Sequence, residues 1–324
     1  MKRPVFITVL LLMFCGISIG IPTVQAQPYP NRPIQLIISI PAGGGGDVNA
    51  RLLADVLTKN LGVQIVPVNK PGAADTVGAD AIAKSKKDGY TIGYTSSGAM
   101  VTTRIVNPEN VHYDPLKDFD HLGLHVFFPT AFAVQESSPW KTFGELIDYA
   151  KKNPGKIRVS TTGLGSNAHF NLELMQVLTG AQFTHIPFKG GESVITALLG
   201  GHVEATMDAI GKIIPHAEAK KLRVLLMTRK FSMFPNVPII TELGYKQELV
   251  SSWFGLFAPA GIPEEAKKVQ VPALEKAIKD PELNVKIENR GYITEYKSPD
   301  ELRKLIVSNE ETVRAIAVKV GLAK

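Results

Sequence analysis

The segment Pro41-Ala42-Gly43-Gly44-Gly45-Gly46-Asp47 lies between an apolar, β-rich run, residues 34–40, and a stretch with helical spacing of apolar residues, 48–61. Glycines have no Cβ and let a ligand approach the backbone. The first N–H groups of the following helix point outwards at the positive end of the helix dipole. The segment is therefore typical of an anion-binding turn in an α/β protein, and a tight turn with no ligand role is the alternative.

The same turn does not match the glycine fingerprints of nucleotide-binding loops. Val48 stands where a G-x-G-x-x-G pattern that begins at Gly43 needs its third glycine. No Gly-Lys-Ser or Gly-Lys-Thr follows the turn either. The sequence therefore gives only weak support to a nucleotide ligand.

Two further turns repeat this chemistry. Residues 160–169 contain two glycines, several hydroxyl side chains and Asn167 at the threshold of a predicted helix, and Thr95-Ser96-Ser97-Gly98 follows a strand that ends at Tyr94. Open α/β sheets bind ligands at the carboxyl ends of their strands, where all three turns should lie. We therefore expect one dianionic or polar ligand between the turns.

Two side chains near these turns each have two possible roles. His169, at a predicted helix start, either orients the loop or donates to a ligand. Asp208, at the end of a predicted strand, either accepts a donor from the ligand or braces a loop. The predicted ligand-binding residues are Ala42, Gly43, Gly44, Gly45, Gly46, Asp47, Ser96, Ser97, Thr162, Gly163, Gly165, Ser166, Asn167, His169 and Asp208.

Predicted strands and helices alternate along the chain. This pattern favours parallel sheets covered by helices on both faces. Helical signals dominate after Pro259, with one short strand near residues 292–294, so the C-terminal part should form a helical cap. The predicted strands are 34–40, 65–68, 91–94, 130–134, 157–160, 183–186, 204–208 and 222–227, and the predicted helices are 48–61, 143–152, 168–178, 193–199, 264–278, 282–288 and 299–320.

Three helix starts carry recognisable caps. Thr142 with Glu145 and Ser298 with Glu301 fit the capping box, in which each side chain satisfies a backbone N–H of the other residue. Asp280 precedes Pro281, which suits the first helical turn because the missing N–H has no partner there.

The N-terminus has the features of a secretory signal peptide. Lys2 and Arg3 precede an apolar run, residues 5–21, and Val24-Gln25-Ala26 forms a cleavage signature, so residues 1–26 should be removed after Ala26. An uncleaved membrane anchor is the alternative, although the run is barely long enough to span a bilayer. The single cysteine, Cys15, lies in this run; Phe14 before it disfavours lipid attachment, and we expect a soluble periplasmic protein.

Composition and motif searches exclude several functional classes. With 44% apolar and 20% charged residues the chain is not disordered, and a net charge of +6 with no aromatic residues among the basic clusters does not indicate nucleic-acid binding. No Gly-x-Ser-x-Gly elbow exists, and His121 and His125 lack the intervening glutamate of a metalloprotease motif. We therefore expect no enzyme activity, no metal and no cofactor.

An ordered series of motifs resembles the Bug receptors, the extracytoplasmic substrate-binding proteins of tripartite tricarboxylate transporters. The resemblance runs from Tyr29 to about residue 320. It includes the first glycine turn, Asn69-Lys70-Pro71-Gly72-Ala73, Asp88-Gly89-Tyr90-Thr91, Tyr113-Asp114-Pro115, Gly163-x-Gly165-Ser166 with His169 and Glu173, Pro187-Phe188-Lys189-Gly190, Leu198-Leu199-Gly200-Gly201, Ser252-Trp253-Phe254-Gly255 and Ala258-Pro259-Ala260-Gly261.

This resemblance implies a type II periplasmic binding protein fold, in which two α/β domains enclose a ligand cleft. Residues 27–127 and 252–324 would form a discontinuous first domain, and residues 128–251 the second. The chain would cross between them near 127–130 and 251–254. In the family both glycine turns grip a ligand carboxylate through backbone amides, hydroxyls and water. Gly46 departs from the family, which commonly has Thr or Ser there.

The function implied is that of a monomeric periplasmic receptor. It would capture a small carboxylate (a dicarboxylate, aromatic acid or amino acid) between its domains and deliver it to the membrane subunits of a tripartite tricarboxylate transporter. The two glycine turns would grip the carboxylate, Ser96 and Ser97 would line the floor, and Asp208 with His169 would tune selectivity. The alternatives are a ligand sensor for a membrane kinase and an enzyme that uses a phosphate cofactor.

Overall fold

The computed structural model describes residues 28–188, 191–319 and 321–323, so the predicted signal peptide lies outside the described residues. Eleven strands are present within this part of the chain. They are β1 (Ile34–Ile38), β2 (Ile65–Asn69), β3 (Thr91–Ser96), β4 (Phe119–Phe128), β5 (Thr130–Gln135), β6 (Ile157–Thr161), β7 (Phe183–Pro187), β8 (Ala205–Ala209), β9 (Leu222–Met227), β10 (Ser252–Pro259) and β11 (Ile293–Lys297).

Helices cover these strands. The α-helices are α1 (Gly45–Leu61), α2 (Thr76–Ala83), α3 (Thr103–Val106), α4 (Phe143–Lys152), α5 (Asn167–Thr179), α6 (Gly191–Leu199), α7 (Ile210–Glu218), α8 (Glu264–Ile278), α9 (Pro281–Glu288) and α10 (Pro299–Lys319). A π-helical turn, Gly98–Thr102, connects β3 to α3. No helix in the described ranges is both long and apolar enough to cross a bilayer.

The strands form two separate sheets. The six-stranded sheet has the order β11-β4-β10-β3-β1-β2, and the five-stranded sheet has the order β7-β6-β8-β5-β9. Only Pro129 separates β4, in the first sheet, from β5, in the second. The chain returns to the first sheet at β10. The prediction of an α/β fold of the periplasmic binding type agrees with this architecture.

The prediction of parallel sheets is only half right. β1 is parallel to β2 and β3, and β6 is parallel to β7 and β8. β10, however, pairs antiparallel with both β3 and β4, and β5 pairs antiparallel with both β8 and β9. The difference arises because β5 and β10, each the first strand after the chain crosses from one sheet to the other, run against the strands of the βα units.

All three predicted N-caps are present, but the capping box at Thr142 is only half formed, because Glu145 Oε2 accepts from the N–H of Lys141. Thr142 Oγ1 accepts from Glu145 N–H at 3.2 Å, and Asp280 Oδ1 accepts from Leu283 N–H at 2.9 Å. Ser298 and Glu301 complete a reciprocal capping box. Three helices were missing from the prediction: α2 contains Gly78 and α7 contains Pro215, residue types that lower helix propensity, and α3 is only four residues long.

Gly78 shows why the packing requires a residue of low propensity in α2. A Cβ atom there would lie 2.5 Å from the Cα of Ser39, because α2 packs directly against the chain that leaves β1. Tertiary contact therefore fixes this helix where local sequence preference disfavours it.

Candidate functional site

A cavity of about 320 Å³ lies between the two sheets. Its wall includes the carboxyl ends of β3 and β8 and the turn that follows β6, and the starts of β5 and β10 complete it. This is where the alternation of strands and helices predicts a ligand site. The volume is about ten times the ~30 Å³ that a water molecule occupies in the liquid, so it suits a small organic solute.

Two predicted serines lie on the part of the wall that belongs to the six-stranded sheet. Ser96 is the last residue of β3, and Ser97 follows it. Ser97 Oγ accepts from the backbone N–H of Trp253, at 3.3 Å, on the neighbouring β10. Ser96 Oγ donates to Asp75 Oδ2 at 2.6 Å. Both hydroxyls are therefore held in place by partners within their own half of the protein.

The second-sheet side is formed by the turn between β6 and α5. Ser166 caps α5, since its Oγ accepts from His169 N–H at 3.2 Å and donates to Gly163 carbonyl oxygen at 2.8 Å. Gly163 and Gly165 have φ values of +116° and +73°, which only glycine adopts easily. Thr162, Gly165, Ser166 and Asn167 lie on the cavity wall.

His169 supports this turn. Its Nδ1 accepts from the backbone N–H of Gly165 at 3.1 Å, so this nitrogen carries no proton. Burial lowers the pKa of His169, and the nearby carboxylate of Glu173 offsets part of that shift. The ring stacks on His185, with centroids 4.3 Å apart. His169 therefore orients the loop as a neutral imidazole and is not part of the cavity wall.

Asn167 connects the two sides. Its Nδ2 donates to Ser252 Oγ at the start of β10, and its Oδ1 accepts from Thr102 Oγ1 at 3.3 Å. Ser252 and Thr102 belong to the half of the protein that contains the six-stranded sheet, whereas Asn167 begins α5 in the half that contains the five-stranded sheet. The backbone N–H of Asn167 has no acceptor within its own helix, as at any helix start, and lies at the positive end of the α5 dipole.

Asp208 lies on the wall at the end of β8. Its carboxylate accepts from the backbone N–H of Ala209 at 2.7 Å and pairs with Lys212 Nζ at 3.2 Å through both oxygens. The side chain is almost fully buried. Asp208 thus braces the start of α7, and its charge is balanced by a lysine one helical turn away.

Two aromatic rings pack against the first glycine turn. A Cβ atom at Gly45 would lie 2.3 Å from Tyr292 Oη, and one at Gly46 would lie 2.9 Å from the ring of Phe254. Phe254 also lines the cavity. The absence of Thr or Ser at position 46 therefore has a packing cause, since the Phe254 ring occupies the space of that side chain.

Asp47 stabilises this turn from within. Its carboxylate accepts from Gly43 N–H at 2.9 Å, from Asn69 Nδ2 at 2.8 Å and from Arg51 Nε at 3.1 Å. Burial alone raises the pKa of Asp47, but the hydrogen bonds from Asn69, Arg51 and Gly43 outweigh it and lower the pKa. Asp47 is therefore charged, and its carboxylate is engaged by hydrogen bonds within the protein.

The structure thus divides the predicted residues into two groups. The first lies on the cavity wall and consists of Ser96, Ser97, Thr162, Gly165, Ser166, Asn167 and Asp208. The second does not form part of the wall and consists of Ala42, Gly43, Gly44, Gly45, Gly46, Asp47, Gly163 and His169. A direct ligand contact by the first glycine turn stays a prediction.

Several wall residues were missed. Thr102, Thr103, Thr130 and Ser252 add hydroxyl groups, and Phe128 and Phe254 add aromatic rings. The crossing near residues 251–254 was predicted from the resemblance, and its serine was the available signal for a site residue. Thr102 and Thr103 carried no comparable signal, because no recognisable motif predicts the π-helical turn that ends at Thr102 and leads into α3.

The wall holds hydroxyl and amide groups without a formal positive charge. No Lys or Arg lies on it within the described ranges of the chain. The same ranges contain no cluster of three or more His, Cys, Asp or Glu that is arranged to hold a metal ion. An anion in this cavity would be bound by neutral donors and by the start of α5.

Comparison with known proteins shows a consistent likeness along most of the chain. The model of the tripartite tricarboxylate transporter family receptor matches residues 49–322. A protein of the gbd 5′ region of Cupriavidus necator is 33% identical over 302 residues, 93% of this chain and 91% of the relative. Protein BugT of Bordetella pertussis is 31% identical over 300 residues, 92% of each chain.

Solved structures show the same likeness in three dimensions. A TctC solute-binding protein from Polaromonas, without ligand, superposes with a TM-score of 0.81 at 28% identity, covering 90% of this chain and 99% of that one. An R. palustris protein with adipate has a TM-score of 0.74 at 28% identity, covering 91% and 99%. MatC from Rhodopseudomonas palustris with bound malate has a TM-score of 0.69 at 25% identity, covering 89% and 99%.

Proposed function

Because the chain belongs to the tripartite tricarboxylate transporter receptor family, we propose that it captures a small carboxylate in the periplasm and delivers it to the membrane subunits of such a transporter. Residues 1–26 would direct export and be removed by cleavage after Ala26. The proposed ligand class draws support from two neighbours, solved with adipate and with malate.

The observation that carries this proposal is the composition of the cavity wall. Neutral donors from both sheets meet there, and Ser97 shares the wall with Ser166 and Asn167 at the start of α5. Such groups bind an anion through hydrogen bonds and the helix dipole without the tight ion pair that an arginine would form. This arrangement suits a receptor that must release its ligand to a transporter.

The mechanism is closure around the ligand. A solute that contacts both sides favours the closed arrangement by the difference in its affinity for the two states. Asn167 already links α5 to Ser252 and Thr102 across the cavity, and a bound carboxylate would add further links of the same kind. The membrane subunits would recognise the closed state, and no chemical step is proposed for the receptor itself.

Ligand screening tests the proposal directly. The protein is unfolded and refolded to remove carried-over solute, then melted with mono- and dicarboxylates, aromatic acids and amino acids. A ligand at 100 times its Kd stabilises the protein by about 2.7 kcal/mol, which shifts Tm by about 5 °C in a chain of this size. A panel without any shift would remove the support for a carboxylate receptor.

A matched pair of variants locates the binding. Thr162→Trp fills the cavity from its wall, whereas Leu164→Trp adds the same ring at a side chain in the same turn that is 69% exposed and off the wall. We expect the first variant to abolish the thermal shift and the second to keep it. Equal binding by both variants would place the ligand elsewhere.

The partner is tested separately. Vesicles that contain the membrane subunits of a candidate transporter should take up the ligand only when the loaded receptor is added. Uptake that does not depend on the receptor, together with capture of a membrane kinase by the loaded form, would favour the sensor alternative. Turnover of a nucleotide or sugar phosphate would favour the enzyme alternative.

A further inference from the structure

The loop between β2 and α2 has an unusual backbone. Ala73, Ala74 and Asp75 are consecutive non-glycine residues with φ values of 45°, 53° and 73°. Each L-residue with a side chain is disfavoured in this left-handed region, and consecutive examples are rare. Strained backbone of this kind is retained only where the surrounding structure holds it in place.

The side chain of Asp75 does not cap the helix that it precedes. It is the N-cap residue of α2, where an aspartate normally accepts from backbone N–H groups, but its side chain makes no cap hydrogen bond. Its Oδ2 instead accepts from Ser96 Oγ at 2.6 Å. Ser96 and Ala74 both lie on the cavity wall. The strained loop therefore turns a carboxylate away from its own helix and towards Ser96 on the cavity wall.

The second oxygen of this carboxylate is available. Among the described residues no hydrogen bond to Asp75 Oδ1 is present, and the residue is partly exposed. Burial raises the pKa of Asp75, and the hydrogen bond from Ser96 offsets only part of that shift. Within residues 28–188, 191–319 and 321–323, no Lys or Arg forms an ion pair with Asp75, whereas Asp47 pairs with Arg51 and Asp208 pairs with Lys212.

This charge affects which solutes can bind. A carboxylate ligand brings negative charge into a cavity whose wall has no Lys or Arg in the described part of the chain and whose Ser96 is hydrogen-bonded to the carboxylate of Asp75. Like charges at short range oppose binding, and a positive group on the ligand reverses the sign of that interaction. A neutral hydroxyl on the ligand would donate a hydrogen bond but would not balance the charge.

We propose that Asp75 is a specificity-determining residue, and that the ligand is a carboxylate that also carries an ammonium group, as an amino acid does. The ligand carboxylate would lie at the start of α5, and its ammonium would donate to Asp75 Oδ1 beside Ser96. This inference rests on the proposed function, because it narrows the carboxylates that the same cavity takes.

Matched ligand pairs test it by titration calorimetry. The pairs are aspartate and succinate, glutamate and glutarate, and alanine and propionate, in which the members differ mainly by the ammonium group. We expect the native protein to bind the ammonium-bearing member of at least one pair tenfold or more tightly. Malate, which has a hydroxyl in place of the ammonium of aspartate, should bind less tightly than aspartate.

Two variants test whether the negative charge of Asp75 causes this preference. Asp75→Asn keeps an oxygen for Ser96 and tolerates a positive φ, whereas Asp148→Asn removes the same charge from an exposed position on α4. We expect Asp75→Asn to lose the preference for the ammonium-bearing member at least tenfold and Asp148→Asn to retain it. Melting curves show whether each variant is folded.

The outcomes distinguish a failure of the proposed role of Asp75 from a failure of the proposed receptor function. Tight binding of succinate, glutarate or propionate without preference for the ammonium-bearing member overturns the role of Asp75 and leaves the carboxylate receptor intact. Equal binding of malate and aspartate, or an equal loss of both pair members in Asp75→Asn, also overturns it. If no carboxylate binds, the proposed function fails and this inference fails with it.

Discussion

Asn167, the first residue of α5, donates through Nδ2 to Ser252 Oγ, at the first residue of β10. The bond joins elements of the two sheets at the edge of the cavity, and Thr102 adds a second bond, at 3.3 Å, to Asn167 Oδ1. One amide side chain therefore contributes to the cavity wall and links its two sides. We expect a residue in this position to couple ligand binding to the proposed closure.

Replacing Asn167 by alanine should weaken ligand binding. Two hydrogen bonds are lost, each worth about 1 kcal/mol, so we expect Kd to rise about tenfold or more. Calorimetry measures the affinity, and small-angle scattering should show a larger radius of gyration for the unliganded variant. Asn153→Ala removes a surface amide that bonds only to its own helix, and should change neither quantity. Unchanged affinity in Asn167→Ala would contradict the coupling.

Replacing Gly46 by alanine should destabilise the protein. The added Cβ would lie 2.8 Å from Ile40 Cδ1 and 2.9 Å from Phe254 Cζ, and overpacking of this kind costs about 1–3 kcal/mol. Chemical denaturation measures the free energy of unfolding. Gly144→Ala is the control, because its nearest neighbour would be Thr142 Oγ1 at 3.9 Å in an exposed helix. A Gly46 variant as stable as the native protein would disprove the packing explanation.

Replacing His169 by alanine should loosen the second glycine turn. Gly165 N–H then loses its acceptor, which costs about 1 kcal/mol and should raise Kd about fivefold. His169→Gln offers a side-chain oxygen to the same N–H and should recover part of the affinity. His202→Ala removes an exposed imidazole and should have no effect. Failure of glutamine to improve on alanine would argue against the bracing role.

His125 should make stability depend on pH. Complete burial lowers the pKa of His125 to about 3, while the unfolded chain has the ordinary value near 6.5. Between these values the unfolded state binds the proton more strongly, so stability falls as pH falls below about 6.5. The loss attributable to this residue should be about 2 kcal/mol between pH 7 and pH 5.

Comparison of the native protein with His125→Gln measures this effect. The difference between their free energies of unfolding should shrink by that amount between pH 7 and pH 5, because glutamine does not titrate. The Nδ1 of His125 lies 3.2 Å from Tyr94 Oη, a contact that glutamine can replace in part. A difference that stays constant with pH would show that His125 is not the responsible group.

Local sequence predicted the parts of this protein that depend on neighbouring residues. The strand-turn-helix units, the caps at Thr142, Ser298 and Asp280, and the hydroxyl-rich turns all follow from preferences that act over a few positions. The order of motifs identified the family in the same way. These features could be predicted because their physical causes are contained within short segments.

Contacts between distant segments decided which turn meets the cavity. The first glycine turn was predicted from its own residues, but Phe254 and Tyr292, more distant in the chain, occupy the space beside it. The carboxylate of Asp75 reaches Ser96 only because α2 packs near the end of β3.

The sequence by itself therefore determined the fold family, the glycine turns and the neutral, hydroxyl-rich chemistry expected around a bound anion. Only the tertiary structure decided which of these donors share one cavity and which carboxylates remain without a balancing charge. The physical reason is that side-chain packing and electrostatics depend on distances in space, which the spacing of residues along a chain does not contain.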